Sequence, residues 1–327
     1  MSLYTQIIAT GSYVPPTILT NDDISQRLDT DDAWIFSRTG IRERHVVDKE
    51  TCSDLAAKAS FQALERANLK PDQLDMIIVA TLTPEKRLPA TANFLQHKLQ
   101  AKRAACFDVD VACAGFMYGL SIAHQYIQNR EMKTILVVGA EVMSRILNWN
   151  DRSTCVLFGD GAGACIVGSS SKKERAVMAT RLYSNGSLSH LLEIPGGGTA
   201  CDWTPEMLER QDQLIKMDGK EVYKEAVRCM TEAAQEMLER HHLSIQDIDL
   251  FIPHQANLRI IEAVAKRLDF PLEKIFMNLD RYGNTSAASI PIALDEAIQS
   301  HRIERGQRIL MISFGAGFAW ASSLIEW

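Results

Sequence analysis

"LKPDQLDMII" at residues 69–78 and "LSIQDIDLFI" at residues 243–252 read as two copies of one phrase. In each, a leucine opens a polar turn containing a glutamine and two aspartates, and the chain then enters an apolar, β-type run. The copies lie 174 residues apart, and "TILVV" (134–138) and "RILMI" (308–312) repeat at the same spacing. Short matches of this kind also arise from shared strand chemistry, but two at one offset point to an internal duplication. The apolar runs "MIIVATL" (76–82), "TILVVGA" (134–140), "LFIP" (250–253) and "RILMISF" (308–314) are separated by helical patterns. Buried strands alternating with helices make an α/β protein. The expectation is two similar layered halves related by a pseudo-twofold axis. They would join in the polar stretch "SSSKKERAV" (169–177), giving units 1–172 and 173–327.

Composition sets wide bounds. The chain has 327 residues, of which 46% are hydrophobic and 23% charged, so a large core is available. A formal net charge of −6 argues against a general nucleic-acid-binding surface, while leaving room for a local basic patch that recruits an acidic partner. No apolar run approaches the roughly 18 residues of a membrane span, and "MSLYTQIIATGSYVPP" lacks the pattern of a secretory leader. A cytoplasmic protein is expected. Seven cysteines without a C-x-x-C pair suggest reduced thiols rather than a disulfide framework or a zinc site. The Gly-rich "IPGGGTACDW" (194–203) reads as a long loop with no phosphate-binding fingerprint.

One cysteine has a special setting. In "FDVDVACAGFMYGL" (107–120), Cys113 stands among small residues where a β-branched run gives way to Leu120, Ala123 and Ile127 at helical spacing. A thiol at a helix N-terminus is exposed to free N–H groups and the positive dipole end, which favours a thiolate. Gly115 and Gly119 would let the helix pack closely. The bland reading is a small core hydrophobe, which suits the other six cysteines better.

A nucleophile needs helpers, and "LFIPHQANLRIIEAVAKRL" (250–268) places His254 after a strand and before a helix starting near Asn257. Strand ends of this kind carry chemistry in α/β folds. In "LDRYGNTSAASIPIAL" (279–294), Asn284 follows Gly283 at another strand-to-helix turn, where it serves as an N-cap or as a third polar group. In the duplicated frame Cys113 and Asn284 occupy roughly corresponding turns. A twofold arrangement would then bring Cys, His and Asn to one pocket.

Together, "DVDVACAGFMYGL", "FGDGAGA" (158–164), "PHQANLRI" (253–260), "GNTSAAS" (283–289) and "FGAGFAWASSL" (314–324) resemble the β-ketoacyl-acyl-carrier-protein synthase III family, the initiating condensing enzymes of type II fatty acid synthesis. The likeness runs from "ATGSYVPP" (9–16) to the last strand. It implies a thiolase-type fold, two βαβαβαββ halves in five αβαβα layers, and a homodimer. It also implies a ping-pong condensation of an acyl-CoA primer with malonyl-acyl-carrier protein, releasing CoA and CO2, with no metal or redox cofactor.

By this resemblance Cys113 is the nucleophile, and its N–H and that of Ala316 form an oxyanion hole, at a position where the family commonly has glycine. His254 and Asn284 would donate to the enolate oxygen. Trp34, Arg38, Thr39 and Arg152 would bind CoA, with Trp34 and Arg152 sandwiching its adenine and Arg38 near its phosphates. Tyr223 and Asn257 would line the pantetheine channel. Arg259, Lys266 and Arg267 would dock the carrier protein, and Leu88 would close the acyl pocket across the dimer interface, where its size admits a longer or branched primer. Other readings are a paralogue handling a medium-chain or specialised acyl group, a non-catalytic acyl-CoA-binding paralogue, and a papain-like hydrolase. The last lacks its cysteine signature here.

Overall fold

A computed structural model describes residues 4–171 and 176–327. The expected junction at 172/173 lies outside the described residues. Two mixed sheets repeat one design. In the first, the strands run in the order Tyr4–Tyr13, Gly161–Ser170, Thr134–Glu141, Met76–Ala80, Ala105–Val109. The last three are parallel and the first two join antiparallel. In the second, Val177–Ser184, Ala319–Glu326, Arg308–Gly315 and Leu250–Pro253 follow the same order and directions.

The place of the fifth strand in the second sheet is taken by one parallel bridge, Phe251 to Ile275. The 3₁₀ turn Leu272–Lys274 takes the preceding chain out of extended conformation, and a single backbone bond closes the bridge, Phe276 N–H to the Phe251 carbonyl at 2.9 Å. The run expected over 76–82 also ends early, at Ala80, because the Leu82 N–H turns away to the Glu141 carboxylate.

Period-2 alternation generates the layers. Ile77, Val79, Leu136 and Val138 point to one side, against the helices Cys52–Ala67 and Thr91–Leu99. Their neighbours Ile78, Ile135 and Val137 point to the other, against the helices Gly115–Gln128 and Ser289–Gln299. Those two helices also receive Ile252, Ile309 and Met311 of the second sheet. Leu310 and Ile312 face outward onto the helices Gly219–Arg240 and Leu258–Leu268. The stack is therefore αβαβα, with two buried helices in the central layer.

Those central helices explain the small residues before them. A Cβ on Gly115 would lie 2.9 Å from the Ala80 methyl, and one on Gly119 would lie 3.0 Å from Val137 Cγ1. Both helices are preceded by a 3₁₀ turn, Ala112–Ala114 and Ser286–Ala288, whose first residues take left-handed φ of +44° and +50°. L-residues adopt this region at a cost of about 1–3 kcal/mol. The duplication thus repeats a strained elbow as well as the strands.

Candidate active site

Cys113 is the middle residue of the first elbow, with its helix starting at Gly115. The segment Phe314–Ala316 crosses its backbone so closely that a Cβ on Gly315 would lie 2.7 Å from Cys113 N. His254 follows the strand Leu250–Pro253, anchored by its N–H to the Ile312 carbonyl at 2.8 Å. Its ring Nδ1 lies 2.6 Å from Ser289 Oγ, and Nε2 makes no hydrogen bond among the described residues. Asn284 is clamped by both backbone groups: its N–H donates to Leu157 O at 2.8 Å and its C=O accepts from Gly159 N–H at 3.1 Å. Its side-chain Oδ1 accepts from Ser286 N–H at 2.8 Å, which leaves the NH2 group available. Asn284 is thus not the N-cap, which is Thr285; its Oδ1 closes a local turn onto the Ser286 N–H. In the repeated elbow, the mate of Cys113 is Ala287, and Asn284 stands just ahead of that turn.

All three side chains line the buried end of one cavity of about 840 Å³, together with Ala316. Ala316 is outside the left-handed region, so alanine in place of glycine adds no backbone strain. Burial pushes the His254 imidazole down to about 3, so the ring is neutral at physiological pH.

The thiol departs from expectation. Burial pushes Cys113 up to about 12, and the nearby Glu141 carboxylate acts in the same direction. A helix end contributes at most about 2 kcal/mol, roughly 1.5 pK units, whereas burial shifts a group by as much as about 3–5. Desolvation wins, and the free protein holds a thiol. Glu141 is itself fully buried, accepting from Thr83 Oγ1 at 2.5 Å and from Thr81 Oγ1 at 3.2 Å. Burial pushes its carboxyl up to about 7. Nothing in the local sequence distinguishes Glu141.

Toward its exposed end the cavity is walled by Trp34, Arg38, Thr39, Arg152, Tyr223 and Asn257. Three of these differ in detail from expectation. Arg152 lies 5.0 Å from the Trp34 ring centroid and is held by Asp29, whose carboxylate is 3.6 Å away. A stacked base between two planes needs about 7 Å, two intervals of roughly 3.5 Å, so Arg152 must move before an adenine enters. Arg38 also lies over the indole, at 4.3 Å. The Thr39 hydroxyl is spent inside the chain, donating to Ile35 O at 2.7 Å and accepting from Ile41 N–H at 3.0 Å. Asn257 caps its helix through Oδ1 to Arg259 N–H at 2.9 Å.

Lys220 and Lys224 also line the cavity. They stand one turn apart on the helix Gly219–Arg240, a pattern that flanks Tyr223 in "GKEVYKEA" and that sequence reading passed over. With Arg38, Arg152 and Arg259 the cavity carries five cationic side chains and no Asp or Glu among its lining residues. Two of the five are paired just off the lining, Arg152 with Asp29 and Lys224 with Glu221, so the wall is cationic on a chain of net charge −6 through Arg38, Lys220 and Arg259 above all. Lys266 and Arg267 are exposed in the last turn of the helix Leu258–Leu268, off the cavity wall. Leu88 is 84% exposed and touches no part of the cavity in this chain. Among the described residues, no group of three or more His, Cys, Asp and Glu is placed to hold a metal ion, and no helix is long and apolar enough to cross a membrane.

A thiol facing two neutral hydrogen-bond donors, at the end of a tunnel whose walls are apolar and whose charges are all positive, suits acyl-thioester chemistry on a thiolase-type fold. The family described as 3-Oxoacyl-[acyl-carrier-protein (ACP)] synthase III matches residues 107–186, and its C-terminal counterpart matches residues 238–327. A beta-ketoacyl-[acyl-carrier-protein] synthase III of Caldanaerobacter subterraneus subsp. tengcongensis is 51% identical over 98% of this chain and 97% of its own length. One of Xanthomonas campestris pv. campestris is 47% identical over 99% of both chains. The crystal structure of 3-oxoacyl-[acyl-carrier-protein] synthase III from Aquifex aeolicus superposes with a TM-score of 0.92 at 46% identity, covering 99% of this chain and 100% of that one. The protein belongs to the 3-oxoacyl-[acyl-carrier-protein] synthase III family.

Proposed function

We propose that the cavity joins an acyl-CoA primer to malonyl-acyl-carrier protein, giving 3-ketoacyl-carrier protein, CoA and CO2. The observation that carries this reading is the convergence of Cys113, His254 and Asn284 at the buried end of a single cavity with only cationic charges. The CoA phosphates would meet Arg38, Arg152, Lys220 and Lys224, while the acyl thioester reaches the thiol. Cys113 sulfur attacks the thioester carbon, the Cys113 and Ala316 N–H groups receive the oxyanion, and the C–S bond to CoA breaks. The departing CoA thiolate takes up the proton that Cys113 gives up.

Malonyl-carrier protein then occupies the same tunnel. Its carboxylate C–C bond breaks, CO2 leaves, and the electron pair resides on a thioester enolate whose oxygen accepts from His254 Nε2–H and Asn284 Nδ2–H. The enolate carbon attacks the acyl-Cys113 carbonyl, the C–S bond to Cys113 breaks, and the expelled thiolate takes up a proton from solvent. Two substrates and one proton from solvent close the balance, and no step calls for a metal or redox cofactor.

Arg259, Lys266 and Arg267 would attract the acidic carrier protein, and Leu88 would reach the acyl pocket of a second copy in a homodimer. The site of action would be the cytoplasm. The test is intact-mass measurement after brief mixing with acyl-CoAs from acetyl to decanoyl, with Cys113→Ala as control. A single adduct absent from the control supports the reading, and no adduct with any acyl-CoA refutes it.

A further inference from the structure

His254 can stabilise an enolate only if Nε2 carries the ring proton, and its environment offers a way to decide which nitrogen does. The imidazole and Ser289 are both 2% exposed. Ser289 Oγ lies 2.6 Å from Nδ1, which is the only side-chain hydrogen bond of either residue among the described residues, and Ser289 does not line the cavity. Two arrangements satisfy that distance. If Nδ1–H donates to Oγ, the serine hydroxyl proton has no acceptor in a buried site, and such an orphan costs about 1–3 kcal/mol. If the serine O–H donates to Nδ1, both groups are satisfied and Nε2–H points into the cavity.

From this accounting we infer that Ser289 is a positioning residue that sets the Nε2–H tautomer of His254, so that the ring acts as a donor in the condensation step and not as a base toward Cys113. Ser289 opens the helix Ser289–Gln299, whose preceding elbow also aims Asn284 through the Ser286 N–H. The second elbow thus orients both donors: one by a backbone amide, the other by a side-chain hydroxyl. The inference rests on the condensing reaction proposed above.

The test compares Ser289→Ala and Ser289→Thr with the full-length wild type in two half-reactions, Cys113 acylation by acyl-CoA and CO2 release from malonyl-acyl-carrier protein. Ser289→Ala is expected to acylate at the wild-type rate and to release CO2 about tenfold or more slowly, since removing one oxyanion donor costs about 10²–10³ and misdirecting it costs part of that. Ser289→Thr restores the hydroxyl and the rate. The ¹⁵N shifts of labelled histidine, with His254→Ala to assign the signal, read the tautomer directly in the wild type. Wild-type protonation at Nδ1, or unchanged CO2 release in Ser289→Ala, overturns the inference. Loss of both half-reactions in Ser289→Ala together with no rescue by Ser289→Thr also overturns it. A wild type that neither acylates nor decarboxylates refutes the condensing reaction instead.

Discussion

Gly315 offers the sharpest test of how the thiol is held. The segment Phe314–Ala316 passes over the elbow, and a Cβ on Gly315 would sit 2.7 Å from Cys113 N, 3.1 Å from its Cβ and 3.2 Å from its Cα. Three of the contacts are with one residue, two of them with backbone, so no side chain can rotate away. Ordinary contact begins near 3.4 Å. Gly315→Ala must therefore push the two segments apart by roughly 0.7 Å at the nucleophile, and misplacement on the order of 1 Å costs about 10²-fold in rate. Overpacking of this kind costs about 1–3 kcal/mol of stability, so the variant should still fold. The assay is single-turnover acylation of Cys113 by intact mass, with a thermal melt as control. Acylation falls about 30–100-fold with a few degrees' loss in Tm. A folded variant that acylates within threefold of wild type would mean that the approach of the two segments does not position the thiol.

Three further outcomes are expected. Because burial raises the Cys113 thiol to about 12, alkylation of the free protein by iodoacetamide should rise about tenfold per pH unit between pH 6 and 8; a plateau in that range would mean a preformed thiolate. His254 is held down to about 3, below its unfolded value of about 6.5, so the neutral ring adds stability that is present above pH 6.5 and is lost as pH falls through 3. The pH dependence of Tm between 6 and 4 should accordingly flatten in His254→Asn, and identical slopes would remove the buried neutral ring from the account. Five lining cations without a carboxylate predict that the KM for acyl-CoA rises with salt from 50 to 300 mM and that Arg152→Ala weakens this dependence; a salt-independent KM would contradict phosphate recognition at the mouth.

The fold was legible because duplication doubles every signal. The polar turns before Met76 and Leu250 become matching 3₁₀ turns at Pro71–Gln73 and Ile245–Asp247, each followed by the strand read from the sequence. Cys113 and His254 were legible by their positions at strand-to-helix turns; Asn284 instead follows the short helix Leu279–Tyr282, with a single bridge to Phe158 where a strand was expected. What escaped depends on who the neighbours are. Desolvation of Cys113 comes from walls distant in the chain, and it reverses the sign expected from a local helix end. The hydroxyl that meets His254 lies 35 residues away in sequence. Lys220 and Lys224 read as a solvated helix face until the helix Gly219–Arg240 is seen against the tunnel. The fifth strand implied for the second half is absent because only Ile275 pairs with Phe251, after the turn Leu272–Lys274.

The left-handed elbow occurs twice, at Ala112 and at Ser286, although only the first is followed by a cysteine. Retaining the strained turn beside Ala287, where no reacting sulfur needs it, indicates that the turn serves a purpose other than presenting a thiol. It aims hydrogen-bond donors instead. Symmetry of backbone combined with asymmetry of side chain lets one repeated bend carry a thiol in one half and, in the other, the backbone amide that holds Asn284 and the helix that opens with Ser289 against His254. The spacing between them is then set by the packing of two buried helices rather than by flexible loops.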